Sequence, residues 1–146
     1  MKTVAQILEA KPDRTVYTIA PTASVFDALT LMSQRNLGAL MVMENDQILG
    51  IVSERDYARK VVLLGRISKE TLVREIMTAP VKCVAPERSN EECMALMTEH
   101  RIRHLPVVAE GKLVGIVSIG DLVKDTISEQ KFMIEQLQHY IMGDRG

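Results

Sequence analysis

Gly50-Ile51-Val52-Ser53-Glu54-Arg55-Asp56 decides how this chain is read. A short apolar run meets a serine and gives way to charge, the pattern of a strand feeding directly into a helix. The pattern returns as Gly115-Ile116-Val117-Ser118-Ile119-Gly120-Asp121, with Gly50, Ser53 and Asp56 each displaced by 65. A repeat at fixed spacing governs the choice of fold before any single element does.

Outward from these two stretches the correspondence holds without a gap, Ala20 to Asp56 lying over Ala85 to Asp121. Ala20-Pro21 matches Ala85-Pro86, Ser24-x-x-Asp27 matches Ser89-x-x-Glu92, and Leu40 and Val42 match Leu105 and Val107. Further upstream, Val4-x-x-Ile7-Leu8 is echoed by Val73-x-x-Ile76-Met77 at a displacement of 69, which places a longer loop ahead of the second repeat. Hydrophobic periodicity predicts helix, strand, helix, strand, strand, helix in each repeat. Thr3-x-x-Gln6 and the serines at 24, 53, 89 and 118 have capping-box spacing. The helix from Ser24 is expected to fade by Asn36-Leu37-Gly38, where Gly38 can act as the stop, Asn45-Asp46 and Glu110-Gly111 are hairpin turns, and a helix is expected from Glu54 to about Leu63. Ile127 to Met142 reads as a separate amphipathic helix with Ile127, Ile134, Leu137 and Ile141 on one face, to be buried on its own module or on a second copy. Asp144-Arg145-Gly146 is expected to fray.

Composition bounds the function. The 146 residues are 47% hydrophobic and carry a net charge of -1, which suits a packed domain and excludes the basic excess of a nucleic-acid binder. No apolar run reaches the ~18 residues of a membrane span, and the N-terminus lacks signal-peptide character. Cys83 and Cys93 lie outside any C-x-x-C pattern and are read as small, reduced core residues of a cytoplasmic protein. The methionines at 32, 41, 43, 94 and 97 are read as core.

Two constellations carry chemistry. Ser53-x-x-Asp56 and Ser118-x-x-Asp121 are capping boxes by spacing, but both follow a Gly-Ile-Val strand. Such a junction gathers free backbone N–H groups and a hydroxyl, which suit a phosphate. The aspartate would repel a phosphate, and its natural partner is a vicinal diol; a ribose beside a phosphate supplies both. Arg101-x-Arg103-His104, entering Leu105-Pro106-Val107-Val108, reads either as a solvated helix end or as an anion clamp. No metal set, phosphate-binding glycine loop or nucleophile with its base is visible, so neither a catalytic residue nor a metal ligand is assigned and no enzyme is expected.

The two repeats resemble a tandem pair of cystathionine-β-synthase (CBS) domains, a Bateman module. Leu49 to Asp56, Val114 to Asp121 and Arg101 to Val108 carry the likeness, which covers about Val4 to Lys124. It implies an α+β fold of two pseudo-twofold-related β-α-β-β-α units packed through their sheets, plus a C-terminal helix. In sequence order the units would be 1–66, with the lead-in helix, and 67–126, followed by a helix and tail at 127–146. It further implies a stand-alone regulatory module binding an adenine nucleotide (AMP, ADP, ATP or NAD) in clefts between the units, without a catalytic cofactor. Asp56 and Asp121 would hold riboses, Ser53 and Ser118 would meet phosphate, and Arg103 and His104 would supply charge. Ile19, Val84, Ala39, Leu40, Leu105 and Pro106 would line adenine pockets. Family likeness also implies a homodimer and a regulated protein partner; the alternative is a protein-interaction module with no nucleotide. The repeats differ where Gly38-Ala39 faces Arg103-His104, Arg55 faces Gly120 and Met41 faces Pro106, so the two clefts are not expected to bind alike.

Overall fold

The computed structural model describes residues 2–142. In chain order the elements are α1 (Val4–Glu9), β1 (Thr18–Ile19), α2 (Val25–Arg35), β2 (Ala39–Glu44), β3 (Gln47–Ser53), α3 (Glu54–Tyr57), a π-helical turn (Ala58–Val62), a 3-10 turn (Ser68–Glu70), α4 (Val73–Ile76), α5 (Asn90–His100), β4 (His104–Ala109), β5 (Lys112–Ser118) and α6 (Ile119–Ile141). The chain divides into two compact units. One comprises Thr15–Cys83 and Glu110–Val114, the other Met1–Arg14, Val84–Ala109 and Gly115–Gly146.

In the first-repeat unit β1 runs parallel to β2, and β2 pairs antiparallel with β3. The register sets Ala39 opposite Ser53 and Val42 opposite Gly50. Asn45 and Asp46 make the connecting turn with φ of 52° and 63°, a primed hairpin geometry that their short polar side chains tolerate. The core is Val25, Ala28 and Met32 of α2, Leu40, Val42 and Val52 of the sheet, Val61, and Val73 and Ile76 of α4. In the second-repeat unit β4 and β5 form a two-stranded sheet, and Val4, Ile7 and Leu8 of α1 join Cys93, Met97, Leu105, Val107, Val117 and Leu122 in the core.

The lead-in helices therefore do not serve the repeat that follows them in sequence. α1 docks with residues 84 onward, where the Val4 and Ala5 N–H groups donate to the Arg88 and Pro86 carbonyls and the Asn90 N–H donates to Lys2. α4 docks on the first repeat in the same way, Val73 donating to Ala23, Arg74 to Pro21, and Val25 to Thr71. The sequence-order boundaries 1–66 and 67–126 mark the repeats, and the spatial grouping cuts across them.

Other departures from expectation have local causes. β1 has no strand counterpart in the second repeat, only a parallel bridge between Val84 and Val107. In the first repeat the Met41 N–H donates to the Tyr17 carbonyl. Pro106 occupies the matching position and has no N–H to give, so the pairing shrinks. α2 stops within the expected Asn36-Leu37-Gly38 stretch, with Asn36 and not Gly38 taking the left-handed cap at φ 55°, and Arg101 takes the same conformation after α5. The helix after Ser53 is α-helical for one turn and then widens to π. The terminal helix is not a separate element, because α6 runs unbroken from Ile119. Cys93 is buried as expected, but Cys83 is exposed. The expected fraying at 144–146 falls outside the described residues.

Both strand glycines are places of close approach. A Cβ on Gly50 would sit 2.9 Å from the Thr78 carbonyl oxygen and 2.8 Å from Met77 Sδ, whereas one on Gly115 would meet only the Leu8 methyls at 2.8 Å. A backbone carbonyl held in the Ile51–Thr78 bridge cannot yield, while a leucine end can rotate. Gly50→Ala is expected to cost about 1–3 kcal/mol and Gly115→Ala clearly less. Urea unfolding midpoints of the two variants check the order.

Candidate functional site

Each repeat ends its second long strand in a serine that caps the next helix, and each aspartate is fixed by that cap. In the first-repeat unit, Ser53 Oγ accepts the Asp56 N–H at 3.2 Å. Asp56 Oδ2 in turn accepts from the Ser53 N–H at 3.0 Å and its hydroxyl at 3.1 Å. Asp56 Oδ1 accepts from Thr78 Oγ1 at 3.0 Å and pairs with Lys60 Nζ at 3.1 Å. Lys60 also donates to the Ile76 carbonyl at 2.9 Å, so it is anchored at two points. A carboxylate offers about four lone-pair sites, and all of Asp56's are used.

The second-repeat junction has the same cap and a different remainder. Asp121 donates its N–H to Ser118 Oγ at 3.2 Å, and its Oδ2 accepts from the Ser118 N–H at 2.8 Å and from Lys11 Nζ at 3.0 Å. Lys11 donates as well to the Ile116 carbonyl at 3.1 Å. Among the described residues, Asp121 Oδ1 has no donor. The Asp121 side chain is also twice as exposed, 22% against 11% for Asp56. The helices differ too: α3 has four residues, while α6 has 23 and brings a full dipole to Ser118.

The sequence-derived residues fall into two sets, each within one unit. Ile19, Ala39, Leu40, Ser53, Arg55 and Asp56 belong to the first-repeat unit; Val84, Arg103, His104, Leu105, Pro106, Ser118 and Asp121 belong to the second. Leu40 and Leu105 are fully buried, so their side chains serve packing. Ala39 lies beside Ser53 in the sheet register, and Arg55 is exposed on α3. The strand mouths are tied identically, the Glu54 N–H donating to Gly38 and the Ile119 N–H to Arg103. Val84 donates to the Pro106 carbonyl at 3.0 Å, which holds the start of that repeat against β4.

His104 stands at this mouth. Burial pushes its pKa below the usual imidazole value; Asp121 pulls it back up, and Lys11 and Arg103 push it down. Lys11, Lys60 and Thr78 were not found from sequence. Lys60 left a signal, since it follows Asp56 at the i+4 spacing of helical ion pairs. Lys11 and Thr78 left none, because only the docking of the lead-in segments brings them to the carboxylates. Among the described residues, no group of three or more His, Cys, Asp or Glu side chains is arranged to hold a metal ion, and no helix is long and apolar enough to cross a membrane.

Two tandem α+β repeats with a serine–aspartate cap at each strand end define a class, and comparison with known proteins gives its name. The CBS-domain family model matches residues 4–63 and 73–127, and the chain belongs to that family. A solved structure of a signal-transduction protein with CBS domains from Burkholderia ambifaria MC40-6 is 61% identical with a TM-score of 0.86, covering 88% of this chain and 96% of that one. The mitochondrial CBS domain-containing protein CBSX3 of Arabidopsis thaliana is 43% identical over 125 residues, 82% of this chain. The match spans only 61% of the Arabidopsis protein's length. The hexameric CBS-CP12 protein of bloom-forming cyanobacteria is 35% identical with a TM-score of 0.74, over 84% of this chain and 70% of that one. Paired CBS domains generally act as regulatory modules.

Because the folded state holds His104 with a depressed pKa, the unfolded chain takes up its proton first as pH falls. The associated stability is present above the unfolded value of about 6.5 and is lost as pH drops through the lower folded value. Urea unfolding at pH 7.5 and 5.5 is expected to show a smaller acid loss for His104→Gln than for the parent chain.

Proposed function

We propose that this chain is a regulatory module that binds an adenine nucleotide, and that the second-repeat junction is the stronger site. The observation that carries this is Asp121, whose Oδ1 meets no donor among the described residues while its other oxygen is fixed by Ser118 and Lys11. An ionised carboxylate held in place with one free oxygen suits the two hydroxyls of a ribose. The N-terminus of α6, the Ser118 hydroxyl, Arg103 and Lys11 supply positive potential for phosphate. An adenine would lie beside them at the start of β4, near the backbone of Val84 and Pro106.

The first-repeat junction supports weaker binding. Asp56 already satisfies four donors, so a ribose there must displace Thr78 or the doubly anchored Lys60. AMP, ADP, ATP and NAD share the ribose and phosphate that the junction fits. Lys11 gives binding a route to regulation. It joins the end of α1 to Asp121, and a phosphate competing for its ammonium changes that tether. A ligand acts only through such a difference in affinity between states. Self-association belongs to the same reading, since the cyanobacterial relative is hexameric, and a regulated protein would then respond to the assembly.

Titration calorimetry with AMP, ADP, ATP, NAD and 2′,3′-dideoxy analogues tests this. Asp121→Asn is expected to weaken ribonucleotide binding by about 10- to 100-fold, the worth of hydrogen bonds to a charged group. Asp56→Asn should change affinity by less than about threefold while lowering the urea midpoint, because it removes the charge that pairs with Lys60. Equal binding of ribose and dideoxyribose ligands sinks the diol assignment. Absence of heat with every nucleotide sinks the function and leaves a protein-interaction module.

A further inference from the structure

α6 carries an apolar stripe that the chain leaves open. Ile127, Ile134 and Ile141 are 48%, 54% and 76% exposed, Leu137 is 57% exposed, and Val123 is 41% exposed. The three isoleucines recur every seven residues, and Val123, Gln130 and Leu137 recur every seven between them. This is the a/d pattern of a coiled coil. It is not the face that α6 turns into its own unit, which carries Leu122 and Asp125. At 3.6 residues per turn the stripe lies roughly a third of a turn away from that face. One helix cannot bury both faces on one surface, and so the stripe needs an occupant from elsewhere.

The stripe itself selects a second copy of this chain. Isoleucine fills the a positions 127, 134 and 141 and leucine the d position 137, the combination that favours two parallel strands, while Val123 and Gln130 fill the other d positions. Gln130, the one polar residue in the seam, has an amide that donates and accepts, so it is complementary to itself across a twofold axis. In the parallel register Lys131 stands beside Thr126 of the second copy and not beside its own equivalent, so no like charges meet. Two further conditions are already met. α6 spans about three heptads, and its first turns are fixed by Leu122, Asp125 and the Ser118 cap. The costly nucleation that limits short coiled coils therefore does not recur on pairing.

We infer that two copies associate through α6, parallel and in register, with Ile127, Gln130, Ile134, Leu137 and Ile141 as the seam. The inference stands apart from nucleotide binding and survives its failure.

Cysteine cross-linking of the full chain in a Cys83→Ser background tests it. Ile134→Cys and Ile141→Cys place identical thiols across the seam, and Glu135→Cys places one outside it. With micromolar protein and diamide as oxidant, the two seam variants are expected to form covalent dimers at least about tenfold faster than Glu135→Cys, since pairing sets a millimolar effective concentration. Sedimentation of Ile134→Asp/Leu137→Asp, with an unchanged circular dichroism spectrum, should show half the parent's mass. Cross-linking no faster than at Glu135, or a mass unmoved by the aspartates, overturns the pairing and assigns the stripe to a different protein. Preferential linkage of Ile127→Cys to Ile141→Cys in a mixed sample overturns the parallel register.

Discussion

Neither repeat can close its own hydrophobic core with the helix that precedes it in sequence. Val4, Ile7 and Leu8 are buried with residues of the second repeat, and Val73 and Ile76 with those of the first. Each such side chain is worth about 1.5–3 kcal/mol of burial, so these short helices are held by packing and not by propensity. α4 has only four residues and would not persist alone. The backbone bonds at both seams, Val4 to Arg88 and Val73 to Ala23, then set which polar groups reach the strand ends.

From that docking the asymmetry of the two carboxylates follows. α4 ends early, and the chain after it pairs with β3 at Ile51, which lays Thr78 against Asp56. α1 runs on to Glu9, and Lys11 just beyond it reaches Asp121. Position 60 holds a lysine that faces Asp56; the matching Asp125 faces away, to Lys2 and Asn90. A few exchanges of side chain thus convert a doubled sequence into one closed and one open carboxylate. The same caps serve folding in both places, so capping and ligand binding are not rival explanations of the Ser-x-x-Asp motif. What separates them is how many acceptor sites the cap leaves over.

Much of this was legible in the chain. The capping boxes at Thr3, Ser53, Ser89 and Ser118 all form, and Ser24 caps through its hydroxyl. Local hydrogen bonding decides those positions, and local sequence reports it. The hairpin turns and the buried strand positions were legible for the same reason. The inequality of the two junctions was expected from Arg103, His104, Arg55 and Pro106, but its strongest source lies elsewhere. Lys11 and Thr78 act through contacts with residues far along the chain, and periodicity carries no record of such contacts. The unbroken α6 could have been read, since no glycine or proline interrupts the stretch from Asp121 to Met142.

The placement of α1 also orders events in time. Residues 15–83, nearly all of the first-repeat unit, emerge from the ribosome as one uninterrupted stretch and can fold as they appear. Residues 1–14 are made before them, yet their partners extend to Leu122. At ~5–20 residues per second the N-terminal segment waits roughly 5–20 s with Val4, Ile7 and Leu8 unburied. Until those partners are made, Val4, Ile7 and Leu8 stay exposed and open to chaperones.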